Sequence, residues 1–240
     1  MIRINYKGGL GNKMFMYAAA YVLSKKHKLI VATKLDEFPC KINNDVVARS
    51  FNTETIVNNN NFISIYNNNH IDSNLVLSDF FQTKEIISLF QNEFRECFEL
   101  NLTSIDGAII HYRLGDLLSF KDKNIVPKLS YFEKCIGLIE DKKKLYITTD
   151  SPNHKNIKYL INKYDIKLID LKRSETIKFA SQFTTKILST GTFSWWIGFL
   201  GNQNSNIYCP ISNEYDVWLG DIYIFNNWNY ISYKTDKSSN

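Results

Sequence analysis

A chain of 240 residues with a formal net charge of +5 is long enough to bury a core of its own, as one large domain or two modest ones. Its 44% hydrophobic and 22% charged residues match ordinary globular proteins, and its lysines are scattered among acidic residues, which speaks against a nucleic-acid footprint. The four cysteines, Cys40, Cys97, Cys135 and Cys209, stand far apart with no C-x-x-C pair, so neither a zinc site nor a disulfide framework is expected, and a reducing compartment fits.

The first residues, Met1 to Tyr6, alternate as a strand and lack the basic start, apolar stretch and small-residue cleavage site of a signal peptide. No apolar run approaches the length of a membrane span, so the expected location is the cytoplasm. The strand runs into Lys7-Gly8-Gly9-Leu10-Gly11-Asn12, after which Met14 to Leu23 is helical. Leu29 to Ala32 predicts a second strand and completes a βαβ opening. From 36 to 80 the periodicity is weak, and the Asn tracts 58–61 and 67–69 predict loop tips. Ile86, Ile87, Phe90, Phe94 and Phe98 recur at helical spacing and predict one helix over 82–100.

The second half alternates more clearly. Strands are expected at 107–112, 145–149, 166–169, 187–188 and 207–209, the last stopped by Pro210. Helices are expected near 131–139, 155–164, 174–183 and 195–200. Alternation over this length predicts a parallel sheet covered on both faces. The fold class is therefore α/β, with two Rossmann-like domains and a cleft between them: residues 1–104 and residues 105–240.

Four segments follow predicted strands, where parallel α/β sheets place ligands. In the first, Gly9, Gly11 and Asn12 form a turn that opens a helix, whose N–H groups and positive dipole end suit an anion. It is equally an ordinary strand-to-helix turn. The second is His111-Tyr112-Arg113-Leu114-Gly115-Asp116. Arg113 offers a planar donor fork for a diphosphate; the alternative is an Arg113–Asp116 ion pair that holds the loop, with His111 a satisfied core histidine. In the third, Asp150 can accept hydrogen bonds from a base or ribose, or simply cap a turn. In the fourth, Ser189, Thr190, Thr192 and Ser194 surround Gly191 at a helix start and form a nest of donors for phosphate oxygens, with Phe193 among them. The neighbouring Trp195 and Trp196 suit core packing. The 14% aromatic share fits sugar faces or cores alike.

Gly-Gly-Leu-Gly-Asn followed by Met-Phe and Tyr-Ala, then His-x-Arg-x-Gly-Asp, then Thr-Phe-Ser-Trp-Trp resembles the ordered motifs of the α-1,2-fucosyltransferases of glycosyltransferase family eleven. The resemblance spans residues 8 to 201 and leaves 36–100 uncovered. It implies a GT-B-like arrangement and a metal-independent, inverting transfer of L-fucose from GDP to a hydroxyl of a glycan acceptor through an α-1,2 linkage. It implies no cofactor beyond the sugar nucleotide, with residues 1–104 on the acceptor side and 105–240 on the donor side. Arg113 then grips phosphate, His111 and Asp116 are its motif partners, and Ser189 to Ser194, including Thr192 and Phe193, hold the donor. Gly9, Gly11, Asn12 and Asp150 complete the expected donor-binding set.

Three departures bear on the donor. Leu114 stands where the family usually has a second arginine, Lys13 where it has glutamine, and Thr149 where it has an acidic residue, so another deoxyhexose such as rhamnose stays open. Stabilising charge on the departing diphosphate is the main electrostatic task, which assigns catalysis to Arg113. Asp116 is the first candidate for a general base and Asp122 the second. The rival reading is a non-catalytic carbohydrate- or nucleotide-binding protein of the same fold. Expected partners are a nucleotide sugar and a glycan, not nucleic acid or an integral membrane; a homo-oligomer is left open, as is the acceptor's identity.

Overall fold

The computed structural model describes residues 1–98, 100, 103–119, 125–140, 144–211 and 221–233. They form two compact α/β units. The first comprises Met1–Leu100 with residues 221–224; the second comprises the described residues from 103 to 211 and from 225 to 233. Among the described residues no helix is long and apolar enough to cross a membrane.

In the first unit, β1 (Ile2–Ile4) leads into α1 (Leu10–His27). Every residue of α1 from Met14 to Ser24 is buried, as expected for a helix apolar around its whole circumference. The three consecutive alanines 18–20 allow neighbours to approach, and Phe15 meets Phe94 edge-on at 6.2 Å. Lys25, Lys26 and His27 occupy its last turn, where cations offset the partial negative charge of free carbonyls. The unit continues with β2 (Glu54–Val57), α2 (Phe62–Asn67), β3 (Asn74–Leu77), α3 (Lys84–Leu89) and α4 (Gln91–Glu96). Its sheet is parallel, in the order β1-β3-β2.

Three expectations change here. Residues 36–80, where weak periodicity predicts no element beyond loop tips at the Asn tracts, contain two of the three strands; β3 is buried at every position, and a central parallel strand loses the alternation that reveals a strand in sequence. The strand expected at 29–32 is reduced to isolated bridges, Ile2 with Val31 and Leu29 with Val47. The single helix expected over 82–100 is two helices, because Phe90 leaves the helical region at φ −124°, ψ 27°. The Asn58–Asn61 tract does turn the chain: Asn58 Oδ1 accepts from the N–H of Asn60 at 3.0 Å and of Asn61 at 3.3 Å.

The second unit runs β4 (Ile105–Tyr112), α5 (Leu129–Gly137), β5 (Leu145–Thr149), α6 (Lys155–Tyr164), β6 (Lys167–Leu168), α7 (Arg173–Ser181), β7 (Phe183–Ile187), α8 (Thr192–Leu200), β8 (Asn206–Ile211) and β9 (Asn229–Ser232). Its six strands are all parallel, in the order β6-β5-β4-β7-β8-β9. Ala108, Ile110 and Tyr112 on one face of β4 pack with Phe132 and Ile136 of α5 and Ile157 and Leu160 of α6. The opposite face carries Ile109 and His111, since strand side chains alternate.

Two strand limits differ from expectation. β7 begins at Phe183, where the helix had been extended too far. β8 runs through Pro210, which pairs in register with Ile231 of β9. Proline is tolerated there because β7 reaches β8 only as far as Tyr208, so no neighbouring strand on that side requires the missing N–H.

Candidate functional site

The strand order of the second unit has one reversal. From β4 the chain winds outward through β5 and β6; it then returns to β7 on the other side of β4 and winds outward through β8 and β9. Loops leaving β4 and β7 therefore diverge to opposite faces and open a crevice at the carboxyl ends of these two strands, the usual ligand position in doubly wound sheets. His111 and Arg113 leave β4 at that end, and Ser189 to Ser194 leave β7 beside them.

Arg113 is the centre of the cluster. Its Nη2 donates to both carboxylate oxygens of Asp116, at 2.8 and 3.0 Å. The ion pair between the two loop residues is thus present. Asp116 lies in the 3-10 turn Gly115–Ser119, with 65% of its side chain exposed. Among the described residues Nη1 and Nε of Arg113 have no acceptor. Nη1 lies 2.6 Å from where a Cβ on Gly191 would stand, and Gly191 adopts φ +105°. That backbone region is open to glycine almost alone, so the glycine is required twice: for its conformation and for the space the guanidinium fills.

Gly191 caps α8 without a side-chain hydrogen bond. The partial positive charge of the helix start thus faces the same space as the guanidinium. Around it the hydroxyls are sorted. Thr190 Oγ1 donates to Ile125 O at 2.7 Å, Ser194 Oγ accepts from the Ser189 N–H at 3.1 Å, and Ser194 Oγ also bonds His111 Nδ1. Ser189 Oγ is enclosed and has no hydrogen-bond partner. Thr192 is buried, and the partly exposed Phe193 lies with its ring 5.1 Å from that of His111.

His111 is 6% exposed. Burial first, and the Arg113 charge second, depress its pKa to about 3, so the imidazole is neutral across the physiological range. Asp150, at the end of β5, accepts from the N–H of Leu114 at 2.9 Å and of Gly115 at 3.1 Å. It thereby ties the end of β5 to the loop that carries Arg113. A Cβ on Gly115 would stand 2.4 Å from Asp150 Oδ2. Asp150 is therefore a brace for the arginine loop in this geometry. Trp195 and Trp196 are fully buried, and Trp195 stacks on Phe199 at 4.5 Å, as core residues do.

The glycine turn belongs to the first unit. Gly8 has φ +75° and Gly9 caps α1. Gly11 is buried within the helix, Asn12 Oδ1 accepts from Gln82 Nε2 at 3.0 Å, and Lys13 pairs with Glu37 at 2.5 Å. Asp122 lies outside the described residues. Among those described, no group of three or more His, Cys, Asp or Glu residues is placed to hold a metal ion.

Sequence reasoning passed over Lys186 of β7. It is 0% exposed, and its Nζ donates to Phe183 O and Ser205 Oγ, each at 2.7 Å. Burial lowers its pKa to about 7. One lysine among 29 basic residues carries no local mark of burial, except that it sits within an otherwise β-branched and apolar strand. Compared with known proteins, the sequence matches no family model, and a search of curated proteins also gives no match.

Proposed function

We propose that the chain is an inverting glycosyltransferase of GT-B type that transfers L-fucose, or a related deoxyhexose, from a GDP-sugar to a hydroxyl of a glycan, forming an α-1,2 linkage in the cytoplasm. The observation that carries this reading is the lodging of Arg113 Nη1 against Gly191. It brings a guanidinium with uncommitted donors to the start of a helix, at the strand-order reversal of a doubly wound sheet. Permanent positive charge and a helix dipole converging there are what a diphosphate leaving group needs.

In the proposed reaction the acceptor oxygen bonds to the anomeric carbon as the bond from that carbon to the diphosphate oxygen breaks. The electron pair stays on GDP, and the hydroxyl proton passes to a base or to solvent. Negative charge grows on the diphosphate, and Arg113 and the first turn of α8 stabilise it. Asp116 holds Nη2 and thereby orients the guanidinium, leaving Nη1 and Nε for phosphate oxygens. With its carboxylate engaged in this way, Asp116 serves better as a positioning residue than as a general base.

The test is a melting-temperature panel with GDP, UDP and dTDP, followed by incubation of GDP-fucose with a β-galactoside in the presence of EDTA. A ligand that binds only the folded form at 100 times its Kd adds about 2.7 kcal/mol to stability. GDP should stabilise, and a fucosylated product should form despite chelation. Stabilisation by GDP with neither transfer nor hydrolysis would favour the non-catalytic binding protein. No response to any nucleotide would overturn both readings.

A further inference from the structure

A hydrogen-bond chain behind the crevice determines which nitrogen of His111 carries the proton. The Ser189 N–H donates to Ser194 Oγ at 3.1 Å, and that oxygen also bonds His111 Nδ1. Both Ser194, 1% exposed, and His111, 6% exposed, are cut off from bulk water. A serine hydroxyl has one proton to give. If Nδ1 were protonated and donated to Ser194, the oxygen would accept twice, and its own hydrogen would be left without an acceptor among the described residues. If Nδ1 accepts, Ser194 Oγ and Nδ1 satisfy each other and only the Nε2–H stays open to a ligand, whereas a protonated Nδ1 would strand both the Ser194 hydrogen and the Nε2 lone pair; the arrangement with fewer unpaired polar groups is the cheaper one.

We propose that Ser194 holds His111 as the uncharged Nε2–H tautomer, so that the imidazole presents a neutral donor, and no base, to an oxygen of the bound diphosphate. The tautomer follows from the hydrogen bonds alone; the identity of its ligand rests on the proposed function. Among the described residues Arg113 is the charged group that acts on His111, and it opposes a second proton on the ring. Among the described residues Nε2 has no hydrogen-bond partner. Arg113 thus supplies charge and His111 a directional hydrogen bond, with Ser194 as the positioning residue.

The experiment is long-range proton–nitrogen correlation on the full chain labelled with nitrogen-15, whose four histidines give separate ring patterns. One pattern should show Nε2–H alone, unchanged between pH 8 and pH 5, and should lose this single-tautomer form in Ser194→Ala. Ser194→Thr, which keeps the hydroxyl, should restore it. Pyrophosphate should shift the Nε2–H resonance, and Ser194→Ala should bind pyrophosphate roughly tenfold more weakly. A His111 pattern protonated on Nδ1, or doubly protonated at pH 6, would overturn the tautomer. A shift with guanosine and none with pyrophosphate would overturn the diphosphate as its partner. Should Ser194→Ala fail to fold, the wild-type and Ser194→Thr spectra decide. If GDP and pyrophosphate both fail to bind while the Nε2–H pattern persists, the proposed function falls and the tautomer stands.

Discussion

Replacing Gly191 with alanine tests the site at its tightest point. The backbone there has φ +105° and ψ 161°, which costs a residue with a side chain about 1–3 kcal/mol. The added Cβ would also stand 2.6 Å from Arg113 Nη1, 3.7 Å from its Cζ and 3.9 Å from its Cδ. The guanidinium is the end of a flexible side chain with 22% exposure, so it moves aside and the backbone does not. Gly191→Ala should therefore lower the melting temperature by about 2–12 °C, the range that 1–3 kcal/mol implies for a chain of this size. Pyrophosphate affinity should fall as far as it does in Arg113→Ala. The assay is thermal melting with calorimetric titration of both single variants and the double variant. In the double variant the steric term vanishes and backbone strain remains, so the two losses of affinity should not add. A Gly191→Ala protein with unchanged melting temperature and unchanged affinity would refute the reasoning.

Lys186→Met should stabilise the protein most at and below neutral pH. Its pKa is lowered from 10.5 to about 7, so the fold disfavours the protonated amine. Wild-type stability therefore falls as pH drops from 10.5 to 7 and is level below that, by about 1.4 kcal/mol per pH unit within the window. The advantage of the variant in urea melts should shrink by that slope between pH 7 and pH 10, less a constant cost for the lost Phe183 and Ser205 contacts; an advantage equal at both pH values would contradict the buried amine. Asp150→Ala should cost about 1–3 kcal/mol, because the Leu114 N–H loses its acceptor and the Gly115 N–H keeps only Ser151 Oγ, at 3.2 Å, and should weaken pyrophosphate binding together with stability; lost affinity at an unchanged melting temperature would mean that Asp150 touches the ligand instead. Ser189→Ala removes a hydroxyl without a partner, so thermal melting should show equal or greater stability, and a loss above about 1 kcal/mol would reveal a hydrogen bond at this position.

The second unit was the more legible half. Strands such as Leu145–Thr149 and helices such as Lys155–Tyr164 declare themselves through apolar runs, periodic spacing and turns. β3 did not, because Asn74-Leu75-Val76-Leu77 is short and buried at every position, and the text around it is dominated by asparagine turns. The break at Phe90 was hidden because its aromatic side chain continues the helical spacing while its backbone leaves the helix. Within the site, the residue types at strand ends pointed to Arg113, His111 and the hydroxyl loop. Their wiring was not readable: that Arg113 fills the space above Gly191, or that Ser194 bonds His111 across 83 positions of sequence, depends on β4 and β7 being neighbours. Strand order is a tertiary property, and sequence alternation is silent on it.

The most direct test of the central claim is turnover of a GDP-sugar by Arg113→Ala, measured beside its melting temperature. The arginine's ion pair is with a largely exposed carboxylate, worth at most about 1 kcal/mol, so the fold should survive. Transfer should fall by roughly 10²–10³-fold, the loss typical of removing one donor that acts on developing charge, and Arg113→Lys should recover little because an ammonium cannot reproduce the guanidinium's paired donors. Near-normal turnover in Arg113→Ala with an intact fold would contradict the account.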